Sequence, residues 1–272
     1  MSPTKAQSLD AASETSLMAV YIRAKESQRP DALIRDEKAM ALVADRSEDF
    51  ARFAQVPMSD ALMVMRNLAT REYDRQARDF LVRHPDAVVV HIGCGLDSRF
   101  ERVDNGRVEW YDLDLPEVIE LRRKLFGDEG KRHHLLGCSA LEEAWLESVS
   151  AHRRHPFLFL AEVVLVYLDG AQVKRLVHAL RESFPGAELV FDAFSPFLIW
   201  MNNLRISRTK IGARYRWGLK RSKDLESWGA GICLLDEWFP FSRPEPRLAY
   251  VRWMRHVPLL ARVMGIFHYR LG

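Results

Sequence analysis

The pattern of apolar positions predicts strands that alternate with helices through the middle of the chain. Val88, Val89, Val90 and Ile92 form a nearly continuous β-branched run, which is typical of a strand buried on both faces of a parallel sheet. Further strands are predicted at 108–114, 134–138, 157–160 and 188–192, and helices at 116–126, 141–149 and 172–184. This alternation predicts an α/β fold with a doubly wound, mostly parallel sheet.

Both ends of the chain depart from this alternation. Apolar residues recur at helical spacing from Ser13 to about Arg83, and two strands at 248–253 and 263–271 are predicted to complete the sheet edge. No linker rich in Gly, Ser or Pro divides the chain, so we expect one domain. Its expected parts are an N-terminal helical cap (1–83), a central core (84–194), a lid inserted before the last strands (195–247) and the terminal strands (248–272).

A glycine pair ends the first predicted strand. Gly93 and Gly95 permit a sharp turn and let a ligand approach the backbone closely. In open α/β sheets the ligand crevice lies beyond the carboxyl ends of the strands. Asp114 ends the next predicted strand, at about the 20-residue spacing at which an acid binds ribose hydroxyls. Together these features indicate an adenosine-containing cofactor.

The residues after the glycines distinguish between cofactors of this kind. The dinucleotide fingerprint needs a third glycine where this chain has Ser98, and Asp97 would repel a pyrophosphate. An acid tolerates a cationic amino-acid tail, so the pattern favours S-adenosylmethionine over NAD and predicts that Asp97 contacts the cofactor. The alternative is an ordinary glycine turn in which Asp97 caps the following helix.

Composition narrows the possible partners and location. The 40 Lys and Arg against 37 Asp and Glu give a net charge of +3, and we find neither an aromatic-basic ladder nor a zinc spacing, so we expect no nucleic-acid partner and no metal. The cysteines, Cys94, Cys138 and Cys233, are far apart and fit a reducing compartment. Because no secretion signal and no apolar segment of roughly 18 residues is present, we expect a cytoplasmic protein without membrane association.

The predicted lid is rich in basic and aromatic residues. Its basic residues run from Arg205 to Lys223 without an intervening acid, and Trp200, Trp217, Trp228 and Trp238 are scattered through it. A solvated face is one interpretation of the basic run. The other is attraction of a carboxylate or phosphate on a substrate, which predicts an anionic acceptor.

Four passages of the chain resemble the leucine carboxyl methyltransferase family, and in particular its bacterial branch of tetracenomycin-type polyketide O-methyltransferases. They are Gly-Cys-Gly-Leu-Asp-Ser-Arg (93–99), Trp-Tyr-Asp-Leu-Asp-Leu-Pro-Glu-Val (110–118), Leu-Leu-Gly-Cys-Ser (135–139) and Phe-Leu-Ala-Glu-Val-Val-Leu-Val-Tyr-Leu (159–168). The segment 212–218 also resembles the lid of the bacterial branch, and Arg214, Tyr215 and Trp217 within it are candidate substrate contacts. The resemblance implies a class I, Rossmann-like methyltransferase that uses S-adenosylmethionine.

The resemblance also implies which residues hold the cofactor. Gly93 and Gly95 would flank the methionine part, Asp114 would hold the ribose, and Glu162 would lie near the amino-acid end at the end of the fourth strand. Without the family, Glu162 has two interpretations, because an acid after an apolar strand either faces the crevice or is buried in a pair with an arginine.

Two further positions follow from the same resemblance. Arg71 falls near the family's arginine for the cofactor carboxylate, with Arg66 and Arg75 as alternatives in the same helix. Ser139 stands, with Ala140, where the protein-modifying members carry an aspartate toward the adenine. This departure favours the small-molecule branch.

The sequence leaves the need for a catalytic base open. A carboxylate acceptor is already ionised at neutral pH and needs no base, whereas a hydroxyl acceptor needs one. Asp192, at the crevice end of the fifth predicted strand, is one candidate base, and its other interpretations are substrate binding and capping of the next loop. His91 is the second candidate, although its place in a buried strand favours a core histidine.

The leading prediction is an S-adenosylmethionine-dependent O-methyltransferase acting on a small organic acid or a polyketide-like compound. The alternatives are methylation of a protein carboxyl terminus, a non-catalytic module that binds S-adenosylmethionine, and a nicotinamide oxidoreductase, which Asp97 and Ser98 disfavour. The oligomeric state is open.

Overall fold

The computed structural model describes residues 4–56, 58–127, 130–209, 214–241 and 244–272. Its strands are β1 (Val88–Ile92), β2 (Glu109–Asp114), β3 (His133–Gly137), β4 (Phe157–Ala161), β5 (Glu188–Phe194), β6 (Ile232–Trp238) and β7 (Met264–Leu271). They form one sheet in the order β3-β2-β1-β4-β5-β7-β6. The first five strands pair in parallel, and β7 runs antiparallel to both β5 and β6. The predicted doubly wound, mostly parallel α/β fold is confirmed.

Helices precede the sheet and connect its strands. They are α1 (Thr4–Ser27), α2 (Glu37–Asp45), α3 (Ser47–Ala51), α4 (Asp60–Arg83), α5 (Arg99–Val103), α6 (Pro116–Phe126), α7 (Ala144–Val149), α8 (Gly170–Ser183), α9 (Pro196–Thr209) and α10 (Pro258–Ala261). Short 3₁₀ helices lie at Arg52–Gln55, Ser150–His152, Leu165–Tyr167, Asp224–Trp228 and Pro246–His256. The capping chemistry agrees with the bounds, since Ser59 accepts the Leu62 N–H at the start of α4 and Pro116 opens α6.

The β-branched run of β1 lies between two apolar cores. Val88, Val90 and Ile92 pack into the core shared with α7 and α8, whereas Val89 packs into the core shared with α4. Successive side chains of a strand point to opposite faces, so a strand buried on both faces needs apolar residues at every position. This explains why the run is continuous rather than alternating.

Helix α4 crosses one face of the sheet from its carboxyl edge to its amino edge. At the carboxyl edge Thr70 Oγ1 lies 3.4 Å from Glu162 Oε1, and at the amino edge Arg83 donates to Glu188 at 2.7 and 2.8 Å. The first half of α4 therefore extends beyond the strand ends, where the sequence predicts the ligand crevice.

Two predictions at the C-terminal end differ from the structure. The strand predicted at 248–253 is wrong, since these residues belong to the 3₁₀ helix Pro246–His256. In that helix residues three apart share a face, so Leu248 and Val251 pack on the core while Tyr250 and Trp253 are exposed. The edge strand is instead β6, inside the predicted lid. Its Asp236 and Glu237 and a register shift beside Leu234 are typical of an edge strand and hide its apolar alternation.

The described ranges were also searched for membrane-spanning helices, metal-binding groups and disulfides. No helix in them is both long and apolar enough to cross a membrane. Nor do they contain a group of three or more His, Cys, Asp or Glu side chains arranged to hold a metal ion. The thiols of Cys94, Cys138 and Cys233 are free.

Candidate cofactor and acceptor site

The turn after β1 depends on its two glycines. Gly93 and Gly95 have φ values of +65° and +52°, a region that side chains other than glycine rarely adopt. A Cβ at Gly93 would stand 2.2 Å from Val164 Cγ2, and one at Gly95 would stand 2.9 Å from Ser16 Oγ. The turn therefore admits close approach by groups from two distant parts of the chain, as a ligand cradle requires.

Asp114 lies directly against this turn. Its Oδ2 accepts the Gly95 N–H at 2.7 Å, and its Oδ1 accepts the N–H of Leu115 at 2.7 Å. Burial raises the pKa of Asp114, although these two backbone N–H groups oppose the effect. Each carboxylate oxygen can accept a second hydrogen bond, so Asp114 is able to accept from the two hydroxyls of a ribose.

Two arginines hold the carbonyl groups of the turn. Arg122 of α6 donates to the Gly95 oxygen at 3.2 Å, and Arg23 of α1 donates to the Leu96 oxygen at 2.7 Å. Arg122 also pairs with Asp112 at 2.6 Å, and both side chains are buried. The conformation of the turn is thus fixed from two sides, which orients its backbone before any ligand arrives.

Asp97, predicted to contact the cofactor, is held within the protein. Its carboxylate lies 2.9 Å from both Arg99 and Arg102, and 3.8 Å from Arg23. Although burial opposes it, the positive charges of Arg102 and Arg99 hold the pKa of Asp97 well below its usual range. Its negative charge is therefore neutralised by arginines of the protein and is not available to the cationic amino-acid tail of a cofactor.

Glu162 combines both interpretations of its sequence position. Its Oε2 accepts from the buried Arg99 guanidinium at 2.5 Å, and its Oε1 lies near the Thr70 hydroxyl. Its side chain still has 22% of its surface exposed at the end of β4. A charge pair anchored by a rigid, fully buried arginine fixes this carboxylate beside the glycine turn.

Asp192 lies at the same edge, on β5. It is buried, and its Oδ1 accepts the Val163 N–H at 2.5 Å and lies 3.1 Å from the hydroxyl of Tyr73. Val163 has φ of +56°, which is an outlier for a β-branched residue and stores backbone strain. The bond to Asp192 holds the strained turn that carries Glu162 and Val164 over the crevice.

His91 is a core histidine, as the strand pattern favours. It is buried, its Nε2 accepts from Arg99 Nη1 at 3.0 Å, and its Nδ1 lies 3.5 Å from Asp112. Because an arginine can only donate, Nε2 carries no proton and is not available to a substrate. His91 is therefore part of the buried charge network under the glycine turn.

The three candidate arginines of α4 have different surroundings. Arg75 is paired with Glu72, Asp79 and Asp236. Arg71 is exposed, one helical turn from Asn67, and makes no hydrogen bond or ion pair within the described ranges. Arg66 is half-buried, has no ion pair in the described part of the chain, and acts electrostatically on Tyr167 and Tyr215. Arg71 and Arg66 are thus free to meet an anion, and Arg75 is not.

Ser139 and Ala140 follow β3, next to the end of β2. The Ser139 hydroxyl accepts the N–H of Leu141 at 3.3 Å, and the Ala140 carbonyl accepts the Trp145 indole N–H at 3.2 Å. The preceding N–H, of Cys138, donates to the Asp114 carbonyl at 2.9 Å. These bonds place the turn beside Asp114, where an adenine would extend from the ribose.

The three predicted substrate contacts of the lid lie in different surroundings in the structure. Tyr215 stacks on Phe194 with ring centroids 5.1 Å apart and meets Tyr167 edge-on at 5.8 Å. Trp217 is buried in the core against Phe191, and Arg214 is exposed. Trp217 is thus a packing residue in this arrangement. Gly212, Ala213 and Lys210, which belong to the predicted lid, lie outside the described residues.

Sequence reasoning did not single out several of these residues. Arg99 is part of the first family passage and Tyr167 of the fourth, so the motif itself was the available signal. Tyr73, Arg23 and Arg122 carry no local signal, because they lie on helices 119, 73 and 27 positions away from the partners that they meet at the site.

A separate open cavity of about 600 Å³ lies between α1, α4 and the 3₁₀ helix Pro246–His256. Tyr21, Phe53, Met63 and Tyr250 contribute to its walls. Its lining in the described ranges includes none of the predicted cofactor residues. This cavity is thus separate from the cofactor site predicted at the strand ends.

The sheet order, the glycine turn after β1 and the carboxylates after β2 and β4 are those of a class I, Rossmann-like fold. The family and relatives described next make the protein a methyltransferase dependent on S-adenosylmethionine. The family described as leucine carboxyl methyltransferase matches residues 16–181, and the chain belongs to this family. It is 32% identical over 232 residues to the tetracenomycin polyketide synthesis O-methyltransferase TcmP of Streptomyces glaucescens, covering 85% of this chain and 84% of that protein. It is 27% identical to the S-adenosyl-L-methionine-dependent methyltransferase dpfgK of Gibberella zeae, covering 85% and 83%.

Solved structures share the fold at low sequence identity. A DUF574 family protein from Streptomyces avermitilis superposes with a TM-score of 0.59 at 11% identity, covering 94% of this chain and 96% of that one. A candidate methyltransferase from Thermobifida fusca gives a TM-score of 0.55 at 15% identity, covering 92% and 93%. The fold of most of this chain is thus shared with solved structures.

Proposed function

We propose that this methyltransferase transfers the methyl group to an oxygen of a small organic acceptor. The observation that carries the proposal is the cluster of aromatic side chains near the ends of β4 and β5, where Tyr215 packs against both Tyr167 and Phe194, and where Tyr167 and Tyr215 feel the charge of Asp192. Flat rings pack well against such walls. The similarity to the tetracenomycin O-methyltransferase supports an acceptor of the polyketide kind.

In the proposed cofactor site, Gly93 and Gly95 face the methionine part and Asp114 accepts the ribose hydroxyls. Glu162, held by Arg99, faces the amino group. Arg71 is the proposed partner of the carboxylate, and Ser139 with Ala140 borders the adenine. When bound, S-adenosylmethionine supplies an electrophilic methyl group on a sulfonium. Among the predicted cofactor contacts, Asp97 is the one for which we propose an internal role, because its carboxylate is paired with arginines.

The chain's own contribution is alignment and exclusion of water. Holding two reactants in a near-attack pose lowers a barrier by roughly 7 to 11 kcal/mol. In this proposal the aromatic cluster orients the acceptor, and the rigid turn fixed by Arg23 and Arg122 orients the other reactant. No covalent intermediate with the protein is required.

Thermal unfolding with S-adenosylmethionine, S-adenosylhomocysteine and NAD tests the proposed cofactor site. A ligand at about a hundred times its Kd adds roughly 2.7 kcal/mol, which should raise Tm by about 5 to 10 °C for a chain of this size. We expect the sulfur compounds to do so and NAD not to. Glu162→Gln should lose the effect, whereas Glu182→Gln, on the exposed end of α8, should keep it.

Methyl transfer itself requires a second measurement. With radiolabelled S-adenosylmethionine, we expect label in at least one compound of a panel of small aromatic acids and phenols that includes 2-naphthoate and 2-naphthol. Tight binding of the cofactor without transfer to any of a panel of small acids and phenols would favour a non-catalytic module instead. Label in a peptide carboxyl terminus but in no small compound would favour the protein-modifying alternative.

A further inference from the structure

The open cavity of about 600 Å³ between α1, α4 and the 3₁₀ helix Pro246–His256 has the size and walls of a small-molecule site. Ligand sites in proteins occupy roughly 300 to 1,000 Å³ and are lined mainly by apolar and aromatic side chains. Here Ile22 and Phe53 form buried parts of the wall, and Tyr21 and Tyr250 add more exposed rings. Such walls favour a flat aromatic ligand.

Most charged groups of the lining are already compensated within the protein. Glu26 accepts from Arg247 at 2.8 and 3.1 Å, and Arg29 lies 2.9 Å from Asp31. Asp60 lies in the first turn of α4, where the partial positive charge of the helix N-terminus offsets it. These groups therefore leave little net charge for a ligand to meet.

Lys25 is the charged residue of the lining that remains available. It is exposed, and its ammonium lies 5.7 Å from the centroid of the Tyr21 ring. It has no ion pair in the described part of the chain. A cation beside an aromatic ring at the wall of a largely apolar cavity attracts an aromatic ligand that carries a negative charge.

Asn67 contributes a buried polar group to the same cavity. The residue is 1% exposed, and its Nδ2 donates to the Met63 carbonyl at 2.9 Å. Because a carbonyl only accepts, this bond orients the amide and leaves Oδ1 as an acceptor. Oδ1 is buried and has no hydrogen-bond partner among the described residues. An unpaired buried acceptor destabilises a fold, so this oxygen indicates a ligand that donates to it.

We infer that this cavity is a second binding site, and that its ligand is a flat aromatic anion bearing a hydroxyl. The hydroxyl donates to Asn67 Oδ1, the rings lie against the apolar and aromatic walls, and the anionic group pairs with the Lys25 ammonium. The lining in the described ranges includes none of the predicted cofactor residues. The site therefore binds its ligand independently of the proposed methyl transfer and goes beyond that function.

Calorimetric titration with three naphthalene derivatives tests this ligand chemistry. 6-Hydroxy-2-naphthoate carries both polar groups, 2-naphthoate lacks the hydroxyl, and 2-naphthol lacks the carboxylate. We expect 6-hydroxy-2-naphthoate to bind about five- to tenfold more tightly than 2-naphthoate, because the latter loses a buried hydrogen bond. Against 2-naphthol the advantage should be about two- to fivefold and should shrink with salt, because Lys25 is exposed to solvent. Saturating S-adenosylhomocysteine should leave these affinities unchanged.

Variants of the lining test the place of binding. Asn67→Leu should remove the preference for 6-hydroxy-2-naphthoate over 2-naphthoate, and Lys25→Gln should remove the preference over 2-naphthol. Ala54 is exposed at the cavity wall, so Ala54→Trp should preserve the fold and obstruct all three compounds. Lys174→Gln, on the exposed surface of α8, is the matched control and should behave as wild type. Cooperative thermal unfolding verifies that each variant is folded.

The acceptor site of the proposed function is a competing place for these compounds. Binding of 6-hydroxy-2-naphthoate that is unchanged in both Asn67→Leu and Ala54→Trp belongs to that acceptor site and overturns the second site. No binding to the wild type, or equal affinity for the three compounds, overturns it as well. If the variants behave as expected and S-adenosylhomocysteine does not bind, the second site stands and the proposed function fails instead.

Discussion

Two carboxylates on β5 have pKa values shifted in opposite directions. Burial raises the pKa of Asp192 to about 7 at the carboxyl edge. At the amino edge, Glu188 is bonded to Arg83 at 2.7 Å and to His268 at 2.6 Å, and these partners overcome its burial and lower its pKa to about 2. The difference follows from hydrogen-bond partners, since one site supplies cations and the other leaves an oxygen unpaired. We therefore expect Asp192 at the carboxyl edge to serve the functional site, and Glu188 at the amino edge to stabilise the fold.

The opposite shifts predict opposite dependences of stability on pH. Between about pH 4 and 7 the native state keeps the Asp192 proton that the unfolded state has lost, so the free energy of unfolding should fall with rising pH by up to about 1.4 kcal/mol per unit. Asp192→Asn should remove this fall. For Glu188 the unfolded state holds the extra proton, so its contribution is present above about pH 4.5 and disappears toward pH 2.

Urea unfolding at several pH values measures both effects. Relative to wild type, Asp192→Asn should gain stability as pH rises from 4 to 7. Glu188→Gln should be destabilised at pH 6, with the deficit shrinking toward pH 2. Parallel pH profiles for wild type and both variants would contradict these assignments.

At the scale of elements, the crevice depends on the contact between the β1 turn and the β4 turn. Gly93 and Val164 approach so closely that no side chain fits between them, whereas Gly106, with φ of +81°, has nothing within 4 Å of the position that a Cβ would occupy. The two glycines share the same backbone requirement and differ in packing. Comparing an alanine substitution at each glycine therefore separates the cost of backbone strain from the cost of steric overlap.

Gly106→Ala should cost about 1 to 3 kcal/mol from backbone strain alone. Gly93→Ala should cost more, because its Cβ overlaps Val164, and should also abolish binding of S-adenosylhomocysteine. Val164→Ala, added to Gly93→Ala, removes the overlapping Cγ2 and should recover part of the stability. Chemical unfolding and calorimetric binding check these effects. Equal losses for the two single variants would show that the turns do not pack as described.

At the scale of the whole molecule, the first helix covers a turn that lies about 80 residues further along the chain. Ser16 of α1 approaches Gly95, and Arg23 donates to the Leu96 carbonyl and to Asp36. Helix α4 then ties the same edge to Glu162 and Asp192. The N-terminal helices thus form one wall of the site rather than a separate unit.

Hydrogen exchange with and without S-adenosylhomocysteine tests this coupling. We expect slower exchange in α1 from about Ser16 to Ser27 and in the turn at Glu162 to Val164, because ligand in the crevice restrains both. Helix α8, which packs through Val173 and Val177 in the core shared with α7, serves as the internal control and should change little. Protection spread evenly over α1 and α8 would indicate general stabilisation without a specific wall.

The chain's local patterns determined much of the fold and part of the site. The β-branched run at 88–92, the glycines that follow it and Asp114 at the end of the next strand all obey short-range rules, because burial on both faces, positive φ and strand ends constrain individual positions. The parallel sheet and the class of cofactor followed from them. The edge strand β6 did not, because charges and a register shift at a sheet edge interrupt its alternation.

Only the tertiary structure decided which charges are free. In sequence Asp97, Glu162 and Asp192 are three acids near strand ends. Folding pairs Asp97 and Glu162 with Arg99. Tyr73, 119 residues from Asp192, contacts one oxygen of that carboxylate, and the other oxygen has no hydrogen-bond partner among the described residues. The availability of a buried carboxylate depends on partners brought together by packing, and no local pattern of residues encodes where those partners come to lie.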